Sequence, residues 1–213
     1  RELNQLQPKN NAPKNFRTQA IEYQVDIVDW KTVSTTDQKM KPNDSDQIFF
    51  ELMDLLLFLI KGIDIGIISE AGCPGIADPG AALVHLAHTQ AIQVKPMVGP
   101  SSILLALIGS GFNGQHFTFH GYLPVDKNDL LKRLRQMEKN ILGHHQTQIF
   151  IETPFRNRKL FETILSNSSL QLKLCLATNL SLPSEQIKTL SIGDWKKETV
   201  DLHKKPTVFL LYK

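Results

Sequence analysis

Residues 63–102 read IDIGIISEAGCPGIADPGAALVHLAHTQAIQVKPMVGPSS. Two glycine- and proline-punctuated loops, EAGCPGIADPG at 70–80 and VGPSS at 98–102, each follow a short apolar run and each open a helical pattern. The run at 63–69 is apolar at nearly every position, the mark of a parallel strand covered on both faces. AALVHLAHTQ predicts a helix starting at Pro79 or Gly80, 91–98 a second strand, and 101–110 a short helix with Pro100 in its first turn and Gly111 as its stop. This β-loop-α-β-loop-α order predicts a parallel α/β domain. A strand that ends in a tight polar loop before a helix places backbone N–H groups at the carboxyl edge of the sheet, where open α/β sheets bind ligands. Two such loops, one strand apart, predict one shared crevice.

The loops restrict what that crevice holds. Gly72, Gly75 and Gly80 carry no Cβ, so the chain can turn sharply and a ligand can approach its backbone. Asp78, just before a helix start, is suited to capping that helix or to accepting hydrogen bonds from a ligand's hydroxyl or amine. Neither Gly-Lys-Ser/Thr nor G-x-G-x-x-G spacing is present, which disfavours triphosphate and dinucleotide ligands. Glycines and prolines that only turn corners remain the alternative reading.

Working outward, 213 residues suffice for one large or two small domains with a buried core, and 41% hydrophobic with 21% charged residues is a globular composition. The net charge of +3 is unevenly spread, −3 over 1–113 and +6 over 114–213. A basic second half fits a polyanionic partner, with a solvated basic face as the alternative. Cys73 and Cys175 make neither a disulfide framework nor a metal-type cluster, so a reducing cytoplasm and no metal are expected. Residues 1–14 are polar, unlike a secretory leader, and the longest apolar run, 55–60, is too short to span a bilayer.

Within 1–47 only the alternating run IEYQVDIVDW at 21–30 suggests a strand, and 31–47 read as a loop. Residues 48–60 predict a buried helix ended by Gly62, with Ser45 or Asp46 as N-cap. Past Gly114 come a strand at 117–125, a charged amphipathic helix at 126–141 with Leu130, Leu131, Leu134 and Met137 inward, and a buried strand at 147–152. A helix at 153–165 capped by Thr153, a strand at 171–178, a QIKTLSIGDW segment and a last strand, PTVFLLY, complete a second α/β unit. The domain boundary is expected at about 113–118, dividing the chain into 1–115 and 116–213.

The ordered blocks EAGCPGIADPG (70–80), VKPMVGPS (94–101), SGFN (110–113), FTFHGYLP (117–124) and IETPFR (151–156) closely resemble the tetrapyrrole methylase superfamily. Within it they resemble the branch that methylates a ribose 2′-hydroxyl in the decoding region of small-subunit ribosomal RNA. Cys73, Ala77, Phe155 and Glu70 stand where that branch usually has Thr, Ser, His and Asp, and its opening strand and glycine/proline turn are not recognisable in 1–47. The resemblance implies two α/β domains with S-adenosylmethionine in the cleft between them, a homodimer, and a ribosomal RNA or small-subunit partner without a membrane.

Methyl transfer from a sulfonium is an in-line displacement, so orientation and a base for the attacking hydroxyl are what the protein supplies. The resemblance implies cofactor contacts from Ala71, Gly72, Cys73, Pro74, Ile76, Asp78, Ser101, Ser102, Ile151, Asn179 and Thr207, with Ile76, Ile151 and Leu176 as an apolar wall. Glu70 and Glu152 are the candidate bases, each open to a capping role instead. Arg156, Lys159, Lys132 and Arg135 are candidates for RNA phosphates, with a solvated face as the alternative. His120 reads as a satisfied structural histidine, and His144 and His145 as an exposed turn. A tetrapyrrole C-methyltransferase and a cofactor-binding module without activity are the competing functional readings.

Overall fold

The computed structural model describes residues 26–27 by backbone alone, and 57, 59–67, 72–77 and 80–213. The chain forms two compact units, Arg1–Gly99 and Pro100–Lys213.

In the first unit the strand expected at 63–69 is present as β2, Ile65–Gly66. It pairs in parallel with β1, Asp26–Ile27, which lies inside the alternating run at 21–30. Most of the helix expected at 48–60 lies outside the described residues, but its last turn is helical and closes at Gly62, whose N–H donates to the Leu59 carbonyl at 3.0 Å. Helix α1, Ala81–Thr89, buries Leu83 against Leu59, Ile65, Ile67 and Leu86. Its N-cap is Gly80 at φ 129°, a backbone conformation that favours glycine and leaves the helix without a side-chain cap. The helix ends in a Schellman turn, Ile92 N–H to Ala87 O at 2.9 Å, with Ala91 in the left-handed region at φ 53°.

The strand expected at 91–98 is not formed: the segment is irregular and Val98 is 92% exposed.

The second unit is a five-stranded mixed sheet with helices on both faces. Its strands are β3 (Phe117–Tyr122), β4 (Thr147–Ile151), β5 (Lys173–Thr178), β6 (Gln186–Ser191) and β7 (Thr207–Tyr212), in the order β3-β4-β7-β5-β6. Only β3 and β4 run parallel; β7 enters antiparallel between β4 and β5, and β6 pairs antiparallel with β5. The near-continuous apolar runs of β4, β5 and β7 follow from burial on both faces.

One face carries Phe150, Leu174, Leu176, Phe209 and Leu211 and is covered by α3 (Lys127–His144), α4 (Asn157–Asn167) and the short α5 (Ile192–Trp195). There the cross-strand pair Phe150 and Phe209 stacks at 5.6 Å between ring centroids. Trp195 sits edge-on to Phe161 and donates its indole N–H to Leu174 O at 2.7 Å. The opposite face, with Ile149, Cys175, Ala177, Val208 and Leu210, is covered by Ile103, Ala106 and Leu107 of α2, Ser102–Ser110. A boundary at 113–118 places that helix in the first domain, whereas it packs on this sheet because its buried stripe faces β5, β6 and β7. Ser101 is its N-cap, not a first-turn residue, and Gly111 closes it in the left-handed conformation.

Candidate cofactor and substrate site

In the first unit, Glu70, Ala71 and Asp78 lie outside the described residues. Gly72, Cys73, Pro74 and Ile76 lie on one tight loop in which Ile76 N–H donates to Cys73 O at 3.3 Å. The Ile76 side chain is half-exposed, an apolar surface on a polar loop.

In the second unit, adjacent strands gather three candidates at one sheet end. Ile151 closes β4 opposite Val208 of β7, and Thr207 opens β7 opposite Thr178, the last residue of β5. Asn179 follows at once, left-handed at φ 52°, its N–H donating to Pro206 O at 2.9 Å and its Nδ2 to Ser184 Oγ at 3.0 Å. Thr207 donates its hydroxyl to Lys205 O at 3.0 Å. The segment 205–207 is therefore braced internally and held from outside by Asn179 at Pro206 and by Asn157 Nδ2 at Lys205 O.

Leu176 does not join Ile151 in an apolar wall. Strand alternation puts Leu176 on the face with Phe209, whereas Ile151 shares the face of Ala177 and Val208. Ser101 is buried as the α2 cap, its Oγ accepting from Leu104 N–H at 3.5 Å, and Ser102 beside it is exposed.

Glu152 has a defined environment. Its Oε1 accepts from Thr153 N–H at 2.6 Å and from Arg156 Nε and Nη2 at 3.0 and 2.6 Å. The side chain is 7% exposed and that of Arg156 38%. This carboxylate, rather than the Thr153 hydroxyl, organises the turn at 153–156, and α4 begins only at Asn157. Glu152 is thus an ion-pair partner whose oxygen is already occupied, and Arg156 is largely committed to it.

Of the remaining basic candidates, Lys132 pairs with Asp129 at 3.0 Å across the exposed face of α3, a weak interaction at that exposure. Arg135 on the same helix and Lys159 on α4 are exposed and form no ion pair among the described residues. His120 donates through Nε2 to Gln148 Oε1 at 2.8 Å, and burial, the dominant influence, holds its pKa below 6.5. His144 ends α3 and His145 is its left-handed cap, both exposed.

Sequence reasoning passed over Asn157. It is fully buried, on the stripe with Leu160, Phe161 and Ile164, and its Nδ2 donates to Lys205 O at 2.7 Å while its Oδ1 has no hydrogen-bond partner among the described residues. An Asn at the first position of an i, i+3, i+4, i+7 apolar stripe was the available signal.

No protein-family model matches the chain. It is 31% identical over 160 residues to the ribosomal RNA small subunit methyltransferase I of Escherichia coli O157:H7, a match covering 74% of this chain and 54% of that one. Against the protein of the same name from Vibrio cholerae the identity is 29% over 157 residues, covering 72% and 53%. Against that from Xylella fastidiosa it is 39% over 99 residues, covering 46% and 34%. The chain spans about half the length of the curated relatives it matches. Among solved structures, that of the methyltransferase CobJ superposes with a TM-score of 0.52 at 16% identity, covering 76% of this chain and 70% of that one, a likeness of fold. No helix among the described residues is long and apolar enough to cross a membrane. The chain is thus similar in sequence to the ribosomal RNA small subunit methyltransferase I proteins over about half of their length, and shares the α/β fold of the CobJ structure.

Proposed function

We propose that the chain is an S-adenosylmethionine-dependent methyltransferase acting on a ribose 2′-hydroxyl of small-subunit ribosomal RNA. The observation that carries this reading is the alignment of about three quarters of the chain with proteins named for methylation of that RNA. A homodimer and a cytoplasmic location belong to the same reading.

The groups present suit such a cofactor. In the first unit the exposed Ile76 side chain offers apolar surface, and in the second the Asn179 amide oxygen and the Ser102 hydroxyl offer uncharged hydrogen-bonding groups, each the kind of chemistry an adenosine or an amino-acid moiety requires. When bound, the cofactor supplies an electrophilic methyl on a sulfonium sulfur. The chain's own contribution is orientation: the pinned segment 205–207 and the left-handed Asn179 present a fixed edge, and fixed geometry is where much of the rate of a displacement originates. With Glu152 held by Arg156, we assign that carboxylate to positioning and keep Glu70 as the candidate base. Arg135 and Lys159, which form no ion pair among the described residues, are assigned to RNA phosphates, and Lys132 and Arg156 to secondary contacts.

Calorimetric titration with S-adenosylmethionine and with S-adenosylhomocysteine tests the reading. Saturable binding of both is expected, weakened in Asn179→Ala; a chain that binds neither is not this enzyme.

A further inference from the structure

A cavity of about 180 Å³ opens at the β5–β6 edge, on the face covered by α5. Leu176, Trp195 and Val200 supply its apolar lining, and Thr178, Gln186 and Thr199 supply neutral polar groups. The walls are fixed before anything enters. Thr178 and Gln186 are directly paired across the strands, the Trp195 indole is tied to Leu174 O, and Lys205 is held at its carbonyl by Asn157 and Thr207.

The charges around the cavity decide which ligand suits it. Lys188 and Lys205 both line it, but Lys188 Nζ pairs with Glu198 at 2.9 Å and Lys205 Nζ with Asp201 at 2.9 Å. A phosphate would have to displace those carboxylates or meet their repulsion, and like charges brought together disfavour a ligand strongly. A neutral planar group with apolar faces and a donor–acceptor edge meets no such opposition. The side chains of Thr178, Gln186 and Thr199 make no hydrogen bond to other protein groups among the described residues. The Gln186 amide carries a donor and an acceptor side by side, the pairing that reads a base edge.

We propose that this cavity takes an unstacked nucleobase from a single-stranded segment of RNA, the form in which proteins commonly read RNA sequence. The proposal rests on the RNA-methylation reading and adds a substrate subsite to it.

The test follows the Trp195 indole N–H resonance, assigned by comparison with Trp30→Phe, during titration with guanosine under saturating S-adenosylmethionine. A saturable shift is expected, weakened about tenfold, the equivalent of one lost hydrogen bond, in both Gln186→Ala and Thr178→Val. Both variants are conservative enough to keep the thermal midpoint of the parent. No shift up to the solubility limit of the nucleoside, or a shift that both variants retain in full, overturns the proposal. The two ideas fail separately: a chain that shifts with guanosine but transfers no methyl to ribosomal RNA keeps the pocket and loses the enzyme, and the reverse outcome keeps the enzyme and loses the pocket.

Discussion

Arg156 aims two guanidinium nitrogens, Nε and Nη2, at the same carboxylate oxygen of Glu152, which is nearly buried and also accepts Thr153 N–H. Replacing the carboxylate by a neutral amide keeps an acceptor oxygen but strips the charge from three short hydrogen bonds and leaves a half-buried guanidinium without its counter-charge. Glu152→Gln is expected to lower unfolding free energy by about 1–3 kcal/mol, read as a shift in urea midpoint at constant slope. Arg156→Lys is expected to be nearly as damaging, because one ammonium cannot reproduce the fork. A midpoint unchanged in both variants would show that the pair contributes nothing to the turn.

Gly109 lies where α2 meets β6: a Cβ built there comes within 2.5 Å of Ile187 Cδ1 and 3.3 Å of its Cγ2. The requirement is closeness of approach, since this glycine has no positive φ. Gly109→Ala is expected to destabilise by about 1–3 kcal/mol through overpacking. In the double variant Gly109→Ala/Ile187→Ala the added methyl has room, so the two effects should be less than additive. Strict additivity in chemical denaturation would contradict the close contact.

Burial pushes the Cys175 thiol up to about 11, whereas Cys73 sits half-exposed on its loop. At pH about 8 only about one Cys175 in a thousand is thiolate, and the thiolate is the reactive form. Ellman's reagent should therefore modify Cys73 in the folded protein and Cys175 only after unfolding. Rapid native modification of the Cys73→Ser variant would contradict the burial of Cys175.

His120 is held neutral by burial, with its pKa below the ordinary 6.5. The groups facing it are Gln148, which accepts its Nε2–H, and the Arg133 cation, which also opposes protonation. As pH falls through about 6.5 the unfolded chain takes up a proton that the folded chain refuses, so stability declines toward lower pH and is flat on this account above it. Urea midpoints from pH about 8 to about 5 should show a decline that His120→Gln reduces. An unchanged slope in that variant would remove His120 as its source.

Much of the second unit was readable from sequence because its signals are local. The unbroken apolar runs of β4, β5 and β7 announced buried strands, the stripe 130–141 announced α3, and Gly111 marked the end of α2. What escaped depends on partners distant in the chain. Residues 91–98 have the composition of a strand, but composition alone does not fix the extended ladder, and the segment is irregular. The assignment of α2 to the second sheet depends on side chains some 40 to 110 residues further on, and so does the separation of Leu176 from Ile151, since the alternation of one strand must be phased against another. Of the candidate site, Ile151, Asn179 and Thr207 lie together at one sheet end, a neighbourhood set by strand pairing between distant segments. The Glu152–Arg156 pair and the buried Asn157 were legible only as residue types without partners.

The central claim is methyl transfer to ribose, and the direct measurement is incubation of the purified chain with small-subunit ribosomal RNA and methyl-labelled S-adenosylmethionine, followed by mass spectrometry of nuclease fragments. The account predicts one label, on a ribose 2′-oxygen of a single fragment. No label on the RNA from a chain that binds the cofactor would contradict it, as would label confined to a base.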